Sequence, residues 1–339
     1  MFQTDLIIAL QAIRSNVLSK FFVVVSAFGH ETTIIILVVL VLFAANLRKG
    51  LILTQCVVIA GALTLVAKEW FALPAPSAID PAVSLLDQAT VVTTLPGARG
   101  ASAFFERLPV DVVNAIRSNS ASAHNYAFPS GHLCLTTAFW ISASLLFKRR
   151  WLWTIALIMI PLMALSRMYL GHHFLADVLA GVILGLMIIV ALYPLMHEHT
   201  LNRIQTWLPR YLGPLSLEMV SYLALIAVPA LLLPLVWFQA DGPKTVGYLF
   251  GINAAFALLA YRHELPNDFG TTTKRALRTV LALTLFFLIR WIISSAVSVV
   301  IPADTSAREF VRTALIGASF FYVAVKMGRH LKLFATHSV

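Results

Sequence analysis

The sequence predicts an all-α fold, a polytopic membrane helical bundle, and three observations carry that prediction. Hydrophobic residues make up 59% of the chain and charged residues only 12%, against about a quarter charged in soluble domains. Apolar runs long enough to cross a bilayer recur along the whole length. The formal charge of +10 is concentrated in alternate connectors between those runs.

In order along the chain, residues 1–30 are expected to form an interfacial amphipathic helix. Leu6, Leu10, Ile13 and Val17 mark one face, while Asp5, Gln11, Arg14 and Lys20 interrupt the apolar character. No short uncharged core precedes a small-residue cleavage site, so this segment is expected to be retained. About nine transmembrane helices should follow, at roughly 31–47, 51–69, 131–147, 151–169, 174–195, 217–238, 246–261, 279–301 and 309–326. Residues 31–195 then read as a five-span core with a long loop at 70–130. Residues 196–339 read as a four-span carboxy-terminal membrane extension. The loop carries prolines at 74, 76, 81, 96 and 109, and a connector of that length points to a functional role.

Charge placement gives an orientation. Connectors 46–50, 148–150, 196–216 and 262–278, with the tail after 325, hold 14 of the 25 basic residues and, with Glu218 at their edge, 4 of the 15 acids, a net of +10. The opposite side holds 10 basic and 11 acidic residues, with Arg290 left in mid-span. Cytoplasmic loops attract Lys and Arg, so the amino terminus, the 70–130 loop and the 166–177 segment are expected outside. The basic balance reports orientation and gives no reason to expect a nucleic-acid partner. Cys56 and Cys134 both fall within spans and outline neither a disulfide nor a metal framework. The absence of any Asn-x-Ser/Thr acceptor fits a bacterial membrane.

Ionisable residues at membrane-helix ends default to functional readings, and this chain gathers several. His173 and Asp177 are four residues apart at the start of the fifth span. A carboxylate there can fix one imidazole nitrogen and leave the other free to attack. Arg167, across a short turn, can hold phosphate oxygens bidentately. Ser130 and Gly131 open the third span, where free backbone N–H groups and the helix dipole favour an anion. His132 follows and can protonate a leaving oxygen. Lys68 supplies another cation. All these positions fall on the same, outer side of the charge-derived topology.

Three stretches carry a family resemblance: Lys68-x6-Ala75-Pro76, Pro129-Ser130-Gly131-His132, and Ser166-Arg167-x5-His173-x3-Asp177. The chain resembles the type 2 phosphatidic acid phosphatase superfamily, whose signature reads Lys-x6-Arg-Pro, Pro-Ser-Gly-His and Ser-Arg-x5-His-x3-Asp. The resemblance covers roughly residues 5–195. It implies catalytic His173, His132 and Asp177, with Lys68, Ser130, Gly131 and Arg167 on the substrate phosphate. It also implies a phosphohistidine intermediate, with no metal and no organic cofactor. The span layout is similar to that of glucose-6-phosphatase.

The implied activity is hydrolysis of a lipid phosphomonoester or an isoprenyl pyrophosphate at the outer face of a cell inner membrane, with phosphorylated lipid and membrane lipids as partners. One position departs from the signature: Ala75 stands where the first motif has arginine. Removing one preorganised donor typically costs about 10²–10³ in rate. Weakened activity, replacement by Arg99, Arg107 or Arg117 of the loop, and an engineered change are all open. So are three rival functions: a phosphatase for a soluble sugar phosphate, a lipid phosphotransferase and a non-catalytic phospholipid-binding descendant.

Plainer roles are expected elsewhere. His172 reads as a supporting loop residue, His124 as a solvated one, and His197 with His199 as surface histidines. Gly181 and Gly185 suit close helix packing within the core. Arg290 is expected to find a structural partner, with Glu218 and Asp241 as weak candidates.

Overall fold

A computed structural model describes residues 1–87, 100–118, 126–196, 217–239, 241–301 and 305–335. Arg99, His124, His197 and His199 lie outside these residues, as do the side chains of Arg117 and Glu218. The fold is all-α. In chain order the helices are α1 (Asp5–Ala12), α2 (Asn16–Ala27), α3 (Glu31–Leu40, continued by a π-helical turn at Val41–Ala45), α4 (Leu47–Phe71), α5 (Pro76–Ile79), α6 (Val110–Ser118), α7 (Gly131–Phe147), α8 (Arg150–Tyr169), α9 (Leu175–Met196), α10 (Leu217–Val236), α11 (Gly242–Tyr261), α12 (Thr272–Val300) and α13 (Ser306–His330). An isolated bridge between Asn267 and Ala335 is the extended pairing among the described residues.

Each of the nine apolar runs falls on helix. Among the described residues, five helices are long and apolar enough to cross a membrane: Leu47–Ile79, Arg150–Tyr169, Leu175–Pro194, Thr272–Val300 and Ser306–His330. These make the chain a multi-pass membrane protein. A sixth span is present if α2 and α3, bent by 55° at their junction, count as one broken crossing. Helix α7 has 17 residues, below the roughly 20 that a full crossing needs, whereas α10 has 20.

The amino terminus departs from the single helix expected over 1–30. The chain breaks after α1, and Ser15, in extended conformation, caps α2 by accepting the Leu18 N–H. Within α1, Ile7 and Gln11 are buried, while Leu6 and Ile13 of the apolar face are exposed. The buried side of α1 is thus set by inward contacts rather than by the face that amphipathicity marks.

The chain divides into two compact units. The first comprises Met1–Ile34 and Leu63–Ala191. In it α8 packs on α7, α2 and α1. One core cluster joins Ile7, Ile79, Val83, Leu108, Val112 and Phe174, and another joins Leu133, Met163, Met168 and Val178. The expectation for Gly181 and Gly185 holds. A Cβ at Gly181 would lie 2.5 Å from the Ser130 carbonyl oxygen, and one at Gly185 would lie 2.9 Å from Thr137 Cβ. Only glycines let α9 approach α7 this closely.

The second unit comprises Ile35–Ala62 and Leu192–Val339, with α11 packed on α13 and α10, and α12 on α13. Its polar interior is paired: Gln55 Nε2 donates to Asn253 Oδ1 at 2.6 Å, and Asn253 Nδ2 donates to the Leu225 carbonyl at 2.8 Å. Buried Arg278 donates to the carbonyls of Phe43 and Asp268. Cys56 and Cys134 are both buried and are not joined in a disulfide. Arg290 is exposed on α12. Of its two candidate partners, Asp241 pairs with Lys244 at 3.6 Å, and the side chain of Glu218 lies outside the described residues.

Candidate active site

Helix α8 ends in a turn that presents the third motif. The Leu170 N–H donates to the Ser166 carbonyl, Gly171 N–H to Met168, and His172 N–H to Arg167. Gly171 has φ +83°, and a Cβ there would lie 2.4 Å from the Ser84 carbonyl oxygen, so the turn requires glycine twice over. Gln11 of α1 fastens this turn to the loop after α5. Its Nε2 donates to the carbonyls of Ser84 (2.7 Å) and Tyr169 (2.9 Å), and its Oε1 accepts the Ser84 N–H (3.0 Å). A residue that interrupts the apolar pattern of the amino terminus is therefore a buried three-bond clamp.

His173 lies in this turn, just before α9 rather than on it, and Asp177 lies in the first turn of α9. The four-residue spacing still brings them together: His173 Nδ1 is 3.4 Å from Asp177 Oδ2. That is a long hydrogen bond, as unliganded catalytic pairs often are. The same carboxylate oxygen accepts the Phe174 N–H at 2.9 Å, and Oδ1 is buried without a partner. The Asp177 carbonyl accepts the Ser130 N–H at 2.9 Å, joining the second and third motifs through backbone. Of the N–H groups expected to be free at the start of α7, that of Ser130 is thus engaged. Those of Gly131 and His132 follow it in the first turn, where no intrahelical acceptor exists.

Ser130 is fully buried and its hydroxyl has no hydrogen-bond partner. His132, half-buried in the first turn of α7, likewise has a buried and unpaired Nε2. Buried polar atoms left unsatisfied are costly and call for an explanation; here they converge on one place. Arg167, in the last turn of α8 and 7% exposed, donates from Nη1 to Ser26 Oγ at 2.7 Å, while its Nε is buried and unpaired. Lys68, in the last turn of α4, is near enough for its charge to act on Asp177.

The charges that bear on His173 come, in decreasing order, from Arg167, Lys68, His172 and His132. Burial first, and the charges of Arg167 and Lys68 next, hold the His173 imidazole well below its ordinary pKa, so it is neutral. The structure therefore brings together Lys68, Ser130, Gly131, His132, Arg167, His173 and Asp177. It does not bring Arg107 with them: that side chain is exposed on the loop. Ala75 sits in extended backbone immediately before α5.

His172 has the supporting place expected of it, and three further residues beside the site, Asp87, Ser26 and His30, were not legible as such. His172 Nε2 lies 2.8 and 2.9 Å from the two carboxylate oxygens of Asp87. Burial would raise the Asp87 carboxyl, but the hydrogen bond and charge of His172 outweigh it and hold the group below its ordinary value. His172 is lowered, by burial first, with Asp87 opposing. Ser26 reaches Arg167 as described, and the exposed His30 turns its ring edge to His132, with centroids 5.7 Å apart at 89°. Asp87, Ser26 and His30 belong to no local motif; chain reversals alone bring them in.

Residues 49–201 match the family model of the PAP2 superfamily, a narrower extent than the roughly 5–195 of the resemblance. Sphingosine-1-phosphate phosphatase 1 of Rattus norvegicus and that of Mus musculus are each 39% identical over 77 residues, covering 21% of this chain and 18% of the relative. Undecaprenyl-diphosphatase of Sulfolobus acidocaldarius is 32% identical over 77 residues, covering 23% of this chain and 37% of the relative. The chain thus spans well under two thirds of the length of these relatives. No solved structure matches it. The motifs in order, their convergence in the fold and the family match agree: residues 49–201 of this chain are similar to the PAP2 superfamily.

Proposed function

We propose that the chain is a membrane phosphatase that hydrolyses a lipid phosphomonoester or an isoprenyl pyrophosphate through a phosphohistidine. The observation that carries this is a buried, neutral imidazole at His173, backed by a carboxylate and surrounded by Arg167 and Lys68. With Nδ1 held toward Asp177, Nε2 attacks phosphorus. The N–P bond forms as the bond to the leaving oxygen breaks, and His132 Nε2 delivers a proton to that oxygen. Water, deprotonated by the now neutral His132, then attacks the phosphohistidine and releases inorganic phosphate. Arg167, Lys68, the Ser130 hydroxyl and the Gly131 N–H meet the phosphoryl oxygens. Phosphoryl transfer rests on positioning and charge, and these side chains supply both, with no part for a metal or organic cofactor.

An amphiphilic substrate is supported by the relatives, named for sphingosine 1-phosphate and for undecaprenyl diphosphate. An extracytoplasmic site in a bacterial inner membrane is supported by the charge asymmetry of the connectors. In this reading residues 1–30 serve as an interfacial segment, 31–195 as the catalytic core and 196–339 as a membrane extension. Ala75 favours one second reading, a non-catalytic phospholipid-binding descendant, because no described arginine takes its place.

The test is phosphate release, without added metal, from a short-chain phosphatidic acid, farnesyl diphosphate and glucose 6-phosphate. The chain is compared with Ala75→Arg and His173→Ala. Release from the two lipids by the chain and none by His173→Ala is expected. Release by Ala75→Arg alone would make the chain a disabled enzyme. Preference for the sugar phosphate, or phosphate appearing on a lipid acceptor, would replace the substrate class or the reaction. Binding of lipid phosphate without turnover in any variant would favour the second reading.

A further inference from the structure

We infer that Ser26 is a positioning residue for the phosphate-binding Arg167, and that the segment Phe22–His30 completes the active site although it lies outside the matched residues 49–201. This rests on the phosphatase reading above. Four observations within nine residues point the same way. Arg167 Nη1 donates to Ser26 Oγ at 2.7 Å, and both side chains are buried. One residue earlier on α8, Ser166 Oγ donates to the Phe22 carbonyl at 2.7 Å. A Cβ at Gly29 would lie 2.6 Å from His132 Cδ2, so the end of α2 is flush against the residue that protonates the leaving group. His30 then meets the same ring edge-on.

A guanidinium on a long flexible stem carries substantial rotamer freedom. Arg167 projects from the final turn of its helix, where several orientations are open. Helix α2 removes that freedom at two points. The Ser166 bond sets the axial position of α2 against α8, and the Ser26 hydroxyl then accepts one arm of the fork. The Arg167 Nε–H remains buried and unpaired, a donor aimed at no protein atom and so available to an anion. Serine suits the position because Oγ can accept from Arg167 while its chain stays short enough for α2 to lie against α8. Alanine would leave the guanidinium to find its orientation only after substrate arrives. A thiol keeps the volume but accepts weakly.

The experiment measures kcat and KM for short-chain phosphatidic acid with the full-length chain, Ser26→Ala, Ser26→Thr, Ser26→Cys, Arg167→Lys and the Ser26→Ala/Arg167→Lys double variant, in detergent. Ser26→Ala is expected to lower kcat/KM about tenfold, since misplacements near 1 Å at a reacting centre cost about 10². Ser26→Thr should restore most of the loss. On the Arg167→Lys background, Ser26→Ala should cost nothing further, whereas a merely structural defect would cost the same on both backgrounds. If Ser26→Ala does not fold, Ser26→Cys carries the same expectation.

Normal turnover by Ser26→Ala, or an undiminished loss on the Arg167→Lys background, overturns the inference and leaves the phosphatase reading intact. If the full-length chain hydrolyses none of the three substrates above, that reading fails. The inference is then judged by orthovanadate titration of tryptophan fluorescence. About tenfold weaker binding by Ser26→Ala than by the full-length chain upholds it; equal binding, or none by either, overturns it.

Discussion

Replacing Gly181 by alanine should damage catalysis through packing alone, at a distance from any reacting atom. A methyl group there would lie 2.5 Å from the Ser130 carbonyl oxygen and 3.0 Å from Leu133 Cβ. Real Cβ atoms essentially never come within 3.0 Å of a heavy atom, so α9 and α7 must part by about 0.5 Å. One turn earlier on α9, the Ser130 N–H reaches the Asp177 carbonyl at 2.9 Å. A 0.5 Å separation stretches that bond to about 3.4 Å, the edge of a useful hydrogen bond. Ser130 and His132 then move away from His173 and Asp177 together. Overpacking of this kind costs about 1–3 kcal/mol, and the displacement should lower turnover about tenfold. Gly185→Ala is the control. Its methyl would lie 2.9 Å from Thr137 Cβ and 3.0 Å from the Cys134 carbonyl, a milder clash two turns from Asp177. It should lower stability less and keep activity within about threefold. Thermal unfolding in detergent and phosphate release from a short-chain phosphatidic acid measure both. Gly181→Ala with unchanged melting and turnover would refute the argument, as would a larger catalytic loss in Gly185→Ala.

Two further outcomes follow from the buried polar groups. His173 and His172 are both held below the ordinary histidine value of 6.5, by burial first. Below that pH the unfolded chain takes up protons that the folded chain refuses, so stability present above pH 6.5 is lost as pH falls through it. The melting temperature should decline between pH 7.5 and 5.5, and His173→Gln should flatten that decline; a flat profile in the unaltered chain counts against a neutral His173. In the second unit, Arg278 is 1% exposed and donates to the carbonyls of Phe43 and Asp268. Arg278→Met should cost about 1–3 kcal/mol by orphaning those acceptors, read as a lower unfolding midpoint; an unchanged midpoint would show the carbonyls satisfied another way.

The helical membrane class was legible in the sequence, as were the seven residues from Lys68 to Asp177 that the fold brings together. Span-length apolar runs require backbone bonds closed within each segment, so helix follows from composition without knowledge of neighbours. The pairing of His173 with Asp177 follows from a four-residue spacing, and the Gly181 and Gly185 contact from a four-residue repeat of small residues. Each of these is local. What depends on distant chain segments could not be read. Ser26 and Arg167 are 141 residues apart, Asp87 and His172 are 85 apart, and Gln11 reaches Tyr169 across 158. Periodicity assigned Gln11 to an interrupted apolar face, and only the fold shows it holding the turn that carries His173. The break at Ser15 that divides the amino-terminal segment, and the exposure of Arg290, were likewise decided by packing. A local pattern states what a residue can do; which buried donor meets which acceptor depends on where the helices come to rest, and that is a property of the tertiary structure.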